Sequence, residues 1–190
     1  MNTKRDIWNG LMLEINNEIG VAGLMGNLQA ESGLIPYRVQ GDFTQGYSFS
    51  KTYTAQVDSG SISENDFVNN GPNGGGYGLA QWTYYTRKQN LYNRKKQKGV
   101  SIGDLDLAIE FLLYELNTDY VGVMNVLKSA STIREASDKV LFDFERPADQ
   151  SEEVQLQRER LGTVIYEELT GTVPTPKKKK MPIWMYMRRF

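Results

Sequence analysis

Residues 24–34 read LMGNLQAESGL. Together with Val21 just upstream, Leu24, Met25 and Leu28 complete the i, i+3, i+4, i+7 repeat of one helical face. Gly33 closes the run, because glycine takes the left-handed conformation that ends helices at little steric cost. The last turn carries Glu31, although the backbone dipole is negative there and a cation is the favoured charge. At about 100° per residue Glu31 lies on the edge of the apolar stripe. Two readings follow. One is an exposed glutamate that frays the helix end. The other is a carboxyl that partial burial and the dipole keep neutral, and a carboxyl protonated near neutral pH is a general acid. The local pattern leaves both open.

Upstream, Ile7, Trp8, Leu11, Ile15 and Ile19 predict an amphipathic helix over 3–19, interrupted at Gly20. Downstream, residues 34–78 are rich in Gly, Ser, Asn, Thr and aromatics. The partial alternation of Tyr47, Phe49, Tyr53 and Val57 predicts a short hairpin or irregular β region, and NNGPNGGGYG at 69–78 excludes regular structure. After Gly78 the helical pattern resumes, in LAQWTYYTRKQNLYNRKKQ up to Gly99 and in SIGDLDLAIEFLLYEL, with Leu105, Ile109, Leu112 and Leu116 on one face. YVGVMNVLKSA and STIREASDKVLFDFE follow, the latter stopped by Pro147. The last helix is expected at 149–170, with Asp149 and Glu152 in capping-box spacing and Gly171 at its end. The expected fold is α+β and mostly helical, with a small β-rich lobe inserted after the second helix.

The chain has 190 residues, 39% hydrophobic and 24% charged, which suits one packed domain with a tail. It contains neither cysteine nor histidine. Disulfides, thiol nucleophiles, Ser-His-Asp hydrolysis and histidine-ligated zinc are thereby excluded. Proton transfer falls to Asp, Glu, Lys or Tyr, and neither metal nor cofactor is expected. From Pro174 to Phe190 there are four lysines, two arginines and no acid; removing these six positive charges from the net −1 leaves −7 on the first 173 residues. Such an acidic body is unsuited to nucleic acid, whose phosphates demand clustered positive charge. No apolar run approaches the roughly 20 residues of a membrane span. The N-terminus, which alternates charged and apolar residues, reads as a helix and not a signal peptide.

A second candidate element is GYGLAQWTYYTRKQ at 76–89. Its glycines admit close backbone approach, Gln81 offers donor and acceptor together, and Trp82, Tyr84 and Tyr85 supply flat amphipathic faces suited to sugar rings. Leu79 and Trp82 also read as core residues. The acids Asp42, Asp58, Glu64 and Asp66 lie in the expected β lobe, where a second glycosidase carboxylate would be drawn from. None has a distinctive local spacing, and VDSG around Asp58 reads as a turn.

GLMGNLQAESGL, GYGLAQWTYYTRKQ and FERPADQS (144–151) together resemble the phage tail-tip lysozyme family of the lysozyme-like superfamily, in order and spacing, over about residues 4–170. The resemblance implies a lysozyme-like fold and an enzyme that cuts the glycan strands of peptidoglycan. It implies that Glu31 is the catalytic general acid, with Ser32 buttressing it. GYGLAQW is similar to the Gly-Leu-Met-Gln element of goose-type lysozymes and lytic transglycosylases. That similarity implies a sugar groove lined by Tyr77, Gln81 and Trp82, with Ala80 where the methionine would stand. FERP is read as structural, Phe144 packing, Pro147 ending the helix and Glu145 paired with an arginine, and Glu145 is not read as catalytic. Asp42 and Asp58 are the candidates for positioning water.

The domain expectation is a catalytic unit at 1–171 and a basic, aromatic tail at 172–190. Pro174 and Pro176 mark a linker, and the tail would touch anionic wall polymers, a membrane surface or other phage tail proteins, or lead into a further wall-binding domain. Three functions are expected from the resemblance, in this order: a muramidase cleaving the β-1,4 bond between N-acetylmuramic acid and N-acetylglucosamine, a lytic transglycosylase on the same scaffold, and a non-catalytic wall-binding module. Without a signal peptide, the enzyme would sit on the virion tail or in the host cytoplasm before release.

Overall fold

The computed structural model describes residues 3–71 and 75–174, so the expected tail lies outside the described residues from position 175 onward. Eight α-helices are found among them: α1 (Thr3–Ile15), α2 (Glu18–Ser32), α3 (Ser48–Ser59), α4 (Tyr85–Lys98), α5 (Leu105–Thr118), α6 (Val121–Ser129), α7 (Ile133–Val140) and α8 (Glu152–Thr170).

The organising element is α2. Every residue from Ile19 to Leu28 is buried, so the helix is enclosed on all sides and not merely on the stripe that its sequence displays. Its neighbours are α1, α6, α7 and α8. Gly20, expected to interrupt the first helix, lies inside α2; a Cβ there would stand 1.9 Å from the Leu127 carbonyl oxygen of α6. One at Gly26 would stand 2.4 Å from the Arg158 carbonyl oxygen of α8. These glycines let two backbones approach as no other residue would. The real break between α1 and α2 falls at Asn16, with φ of 50°, and Asn17. Asn17 donates from its amide to the Leu127 and Ala130 carbonyls at 2.9 and 3.0 Å, which ties the start of α2 to the end of α6. Gly33 takes φ of 67° and closes α2.

The β-rich lobe is not there. Among the described residues there is no strand, only the isolated bridges Val39–Tyr77 and Tyr77–Trp82. Residues 48–59, expected as the hairpin, form α3. Phe49, Tyr53 and Val57 are four apart, which is a helical period, and Phe49 meets Tyr53 with ring centroids 6.3 Å apart. Aromatic and Thr-rich composition suggested a strand; burial of Tyr53 and Val57 on one helical face decided otherwise. The loop after α2 and the segment before α4 lie side by side, held by Gln40 N–H to the Gly76 carbonyl at 2.9 Å and Gly78 N–H to the Arg38 carbonyl at 2.7 Å.

Two boundaries also move. The N-cap of α8 is Ser151, whose N–H donates to Asp149, while Glu152 pairs with Arg134 of α7, so no capping box forms. α7 continues into one wide turn of π type, Leu141–Glu145, which Arg146 ends in the left-handed conformation just before Pro147. Such turns recur at functional sites. Among the described residues no helix is long and apolar enough to cross a membrane.

Candidate active site

Four parts of the chain meet at a cleft of about 370 Å³. The end of α2 contributes Glu31, the loop after it Arg38 and Phe43, the turn before α4 Gln81 and Tyr84, and the far wall is Arg87 of α4 with Glu145 of the π turn. Phe43 is 91% exposed and Tyr84 73%, so both rings stand free at the rim.

The Glu31 side chain keeps 22% of its surface exposed and accepts from the Arg158 guanidinium at 2.6 Å. Arg158 reaches in from α8, where it is nearly buried, and its other terminal nitrogen points at the Asn27 side-chain oxygen at 3.3 Å. Asn27 is fully buried and donates to the Gly23 carbonyl and to Ser137. Glu31 therefore stands at the solvent end of a polar chain that runs through the packed centre of the molecule. The sequence suggested a solitary carboxyl at a helix end; the structure pairs it with a cation.

Glu145 is different. One carboxyl oxygen is shut off from solvent and has no hydrogen-bond partner. Burial and then the negative charge of Glu31 push its pKa up to about 8, against the opposing pull of Arg87 and Arg158. Arg87 is committed elsewhere: its Nε and Nη2 donate to the two oxygens of buried Glu115 at 2.6 and 2.7 Å. The same Glu115 accepts from the Trp82 indole N–H at 2.8 Å.

Of the residues proposed from sequence, Glu31, Gln81 and Tyr84 line the cleft. Gln81 adopts φ of 45°, a strained value for a side-chain-bearing residue. Its amide donates to the Arg38 and Gly78 carbonyls, fastening the two cleft loops together. Tyr77 and Trp82 are not groove residues: both are fully buried. Tyr77 packs on Tyr53 and Phe67 and bonds Thr54, and Trp82 packs on Phe111. Ser32 is buried and donates back to the Leu28 carbonyl instead of reaching Glu31. Tyr85 is exposed at the start of α4, outside the cleft lining.

Asp42 and Asp58 do not line the cleft either. Asp42 is buried and accepts from the N–H and hydroxyl of both Thr44 and Ser50. Burial works against its charge, yet these bonds outweigh it and hold the carboxyl far below the usual range. Asp58 accepts from the Ile102 N–H at 2.8 Å and pairs with Lys95 at 3.5 Å, around a separate surface pocket. Glu64 pairs with Lys96, and Asp66 caps its own turn through Ser63. Sequence reasoning missed Arg158, Arg87 and Phe43, which carry no local signature, and read Glu145 as a structural residue paired with an arginine, whereas its buried oxygen has no hydrogen-bond partner. Among the described residues no cluster of acids is arranged to hold a metal ion.

The sequence model of the phage tail lysozyme family matches residues 2–169, and the chain belongs to that family. With membership comes the coarse activity, a lysozyme-type glycosidase whose substrate is peptidoglycan. No curated protein matches the chain.

Proposed function

We propose that this enzyme is a muramidase that cleaves the β-1,4 bond between N-acetylmuramic acid and N-acetylglucosamine, with Glu31 protonating the leaving oxygen as an oxocarbenium-like state develops. The observation that carries this reading is the position of Glu31: a partly exposed carboxyl on the wall of a cleft with free aromatic rings at its rim. Phe43 and Tyr84 offer apolar faces to the sugar rings, and Gln81 fixes the floor between them. The ion pair with Arg158 imposes a condition, since Glu31 must gain a proton before it can give one.

Glu31→Gln removes the acid and keeps the shape. Lysis of purified cell walls should fall at least about 100-fold, with an unchanged circular dichroism spectrum. Full lysis by the folded variant would falsify the assignment.

A lytic transglycosylase is the second reading, favoured by one observation: neither Asp42 nor Asp58 reaches the cleft to position a hydrolytic water. Anhydro-muramyl ends in the mass spectrum of digested walls would establish it, and reducing ends the muramidase. Residues 172–190, with their six positive charges, are proposed as a wall-approach segment on a virion-borne or released lysin. Deleting 174–190 should leave activity on soluble glycan fragments intact and weaken binding to whole walls. Equal wall binding by both forms would end that idea.

A further inference from the structure

Glu31, Glu145, Arg38 and Arg87 line the cleft, and Glu145 lies in electrostatic reach of Glu31 and Glu115 and of the guanidiniums of Arg87 and Arg158. The three carboxyls, Arg87 and Arg158 arrive on five different elements: α2, α5, the π turn, α4 and α8. Arg87 is spent on Glu115, gripping both oxygens, and its plane lies over the Phe144 ring at 4.8 Å. Arg158 is spent on Glu31. Neither Arg87 nor Arg158 hydrogen-bonds Glu145, although both lie in electrostatic reach of it, and no donor reaches its buried oxygen. A carboxylate there would leave that enclosed oxygen without a donor beside the Glu31 charge, which favours the neutral acid. The surroundings thus favour a proton on Glu145 near neutral pH.

We propose that Glu145 is the proton store for Glu31, and that Arg158 is shared between the two. The proposal rests on the reading of Glu31 as the general acid. In the free enzyme Arg158 neutralises Glu31 and Glu145 carries the proton. When a sugar chain fills the cleft, the proton passes from the Glu145 hydroxyl to the Glu31 carboxylate, and the Arg158 guanidinium turns to Glu145. One O–H bond breaks and one forms; the total charge of the three groups does not change. Two features equip Arg158 for this. Its Nε has no partner, and its grip on Asn27, at 3.3 and 3.4 Å, is long. Glu145 is a positioning residue in this scheme, acting on the substrate only through Glu31. The elevated pKa of about 8 agrees with the arrangement, since the store must be full at working pH and must empty on demand.

The test is Glu145→Gln in the full chain, assayed on soluble peptidoglycan fragments across pH 5–10. Glutamine copies the shape of the protonated acid and cannot release a proton to Glu31. The expected result is a fall in kcat of at least about tenfold, KM unchanged within about twofold, and loss of the alkaline limb expected of the wild type near pH 8. A merely structural Glu145 would be replaced by glutamine without effect, so wild-type kcat with an unchanged alkaline limb overturns the proposal. Should the variant not fold, infrared spectroscopy of the wild type answers instead. A protonated-carboxyl stretch at pH 6.5 that vanishes near pH 8 is expected, and its absence at pH 6.5 overturns the proposal. Glu31→Gln in the same assay separates the two claims. If that variant stays active, the reading of Glu31 fails; if it is dead and Glu145→Gln is unimpaired, only the proton store fails.

Discussion

The loop after α2 and the turn after α7 each shelter an acid from water, with opposite results. Asp42 is met by four donors, two of them backbone N–H groups, one in the first turn of α3 where anions are favoured. It stays charged. Glu145 meets an enclosed oxygen position with no donor, a neighbouring carboxylate and cations already committed. It stays neutral. Shelter alone thus does not decide ionisation; the supply of hydrogen-bond donors does. The first arrangement builds a loop; the second is the one proposed to hold a proton beside Glu31.

The comparison breaks most sharply at Asp42. Replacing it with alanine leaves Thr44 and Ser50 without an acceptor, in a loop that also carries Phe43 to the cleft rim. Asp42→Ala should lower the melting temperature by about 5–10 °C, measured by calorimetry at pH 7. A shift under one degree would deny the loop-building role.

At Glu145 the expected effect is pH-dependent and of opposite sign. A carboxyl with a raised folded pKa binds a proton in the native state that the unfolded chain has already lost. Wild-type stability should therefore decline as pH rises from about 4.5 to about 8, with a slope near 1.4 kcal/mol per pH unit for this group at most. Glu145→Gln does not titrate, so its stability relative to wild type should rise across that window, by on the order of a few kcal/mol at pH 8. Denaturant unfolding at pH 5 and pH 8 checks this; a constant difference between the two proteins would refute it.

Asp58 belongs to neither case and serves as the reference. It is exposed, with one backbone donor, the Ser101 hydroxyl and one lysine. Asp58→Asn should cost about 1 kcal/mol or less and leave wall lysis unchanged. A tenfold loss of lysis would bring it back as a catalytic candidate.

Glu31 and the Gly33 stop were legible because both depend on residues within one helical turn. The absence of histidine was equally legible, and it leaves proton transfer to Asp, Glu, Lys or Tyr. The helix α3 was written in the four-residue spacing of Phe49, Tyr53 and Val57, but Tyr47 ahead of it made the series look alternating. Tyr77 and Trp82 went the other way from expectation because Gly78 and Gln81, both at positive φ, turn the chain so that these two rings face the core. A segment that reads as a groove in one dimension is half floor and half rim in three.

The sequence by itself determined that an acid sits at the end of a buried helix and that no imidazole or thiol competes with it. It could not determine which acid holds a proton. That depends on a guanidinium 127 residues from Glu31 and on another that a buried glutamate has already claimed. Ionisation is set by the charges and donors within a few ångströms, and only the packing of α8, α4 and α5 around α2 brings those groups within that range.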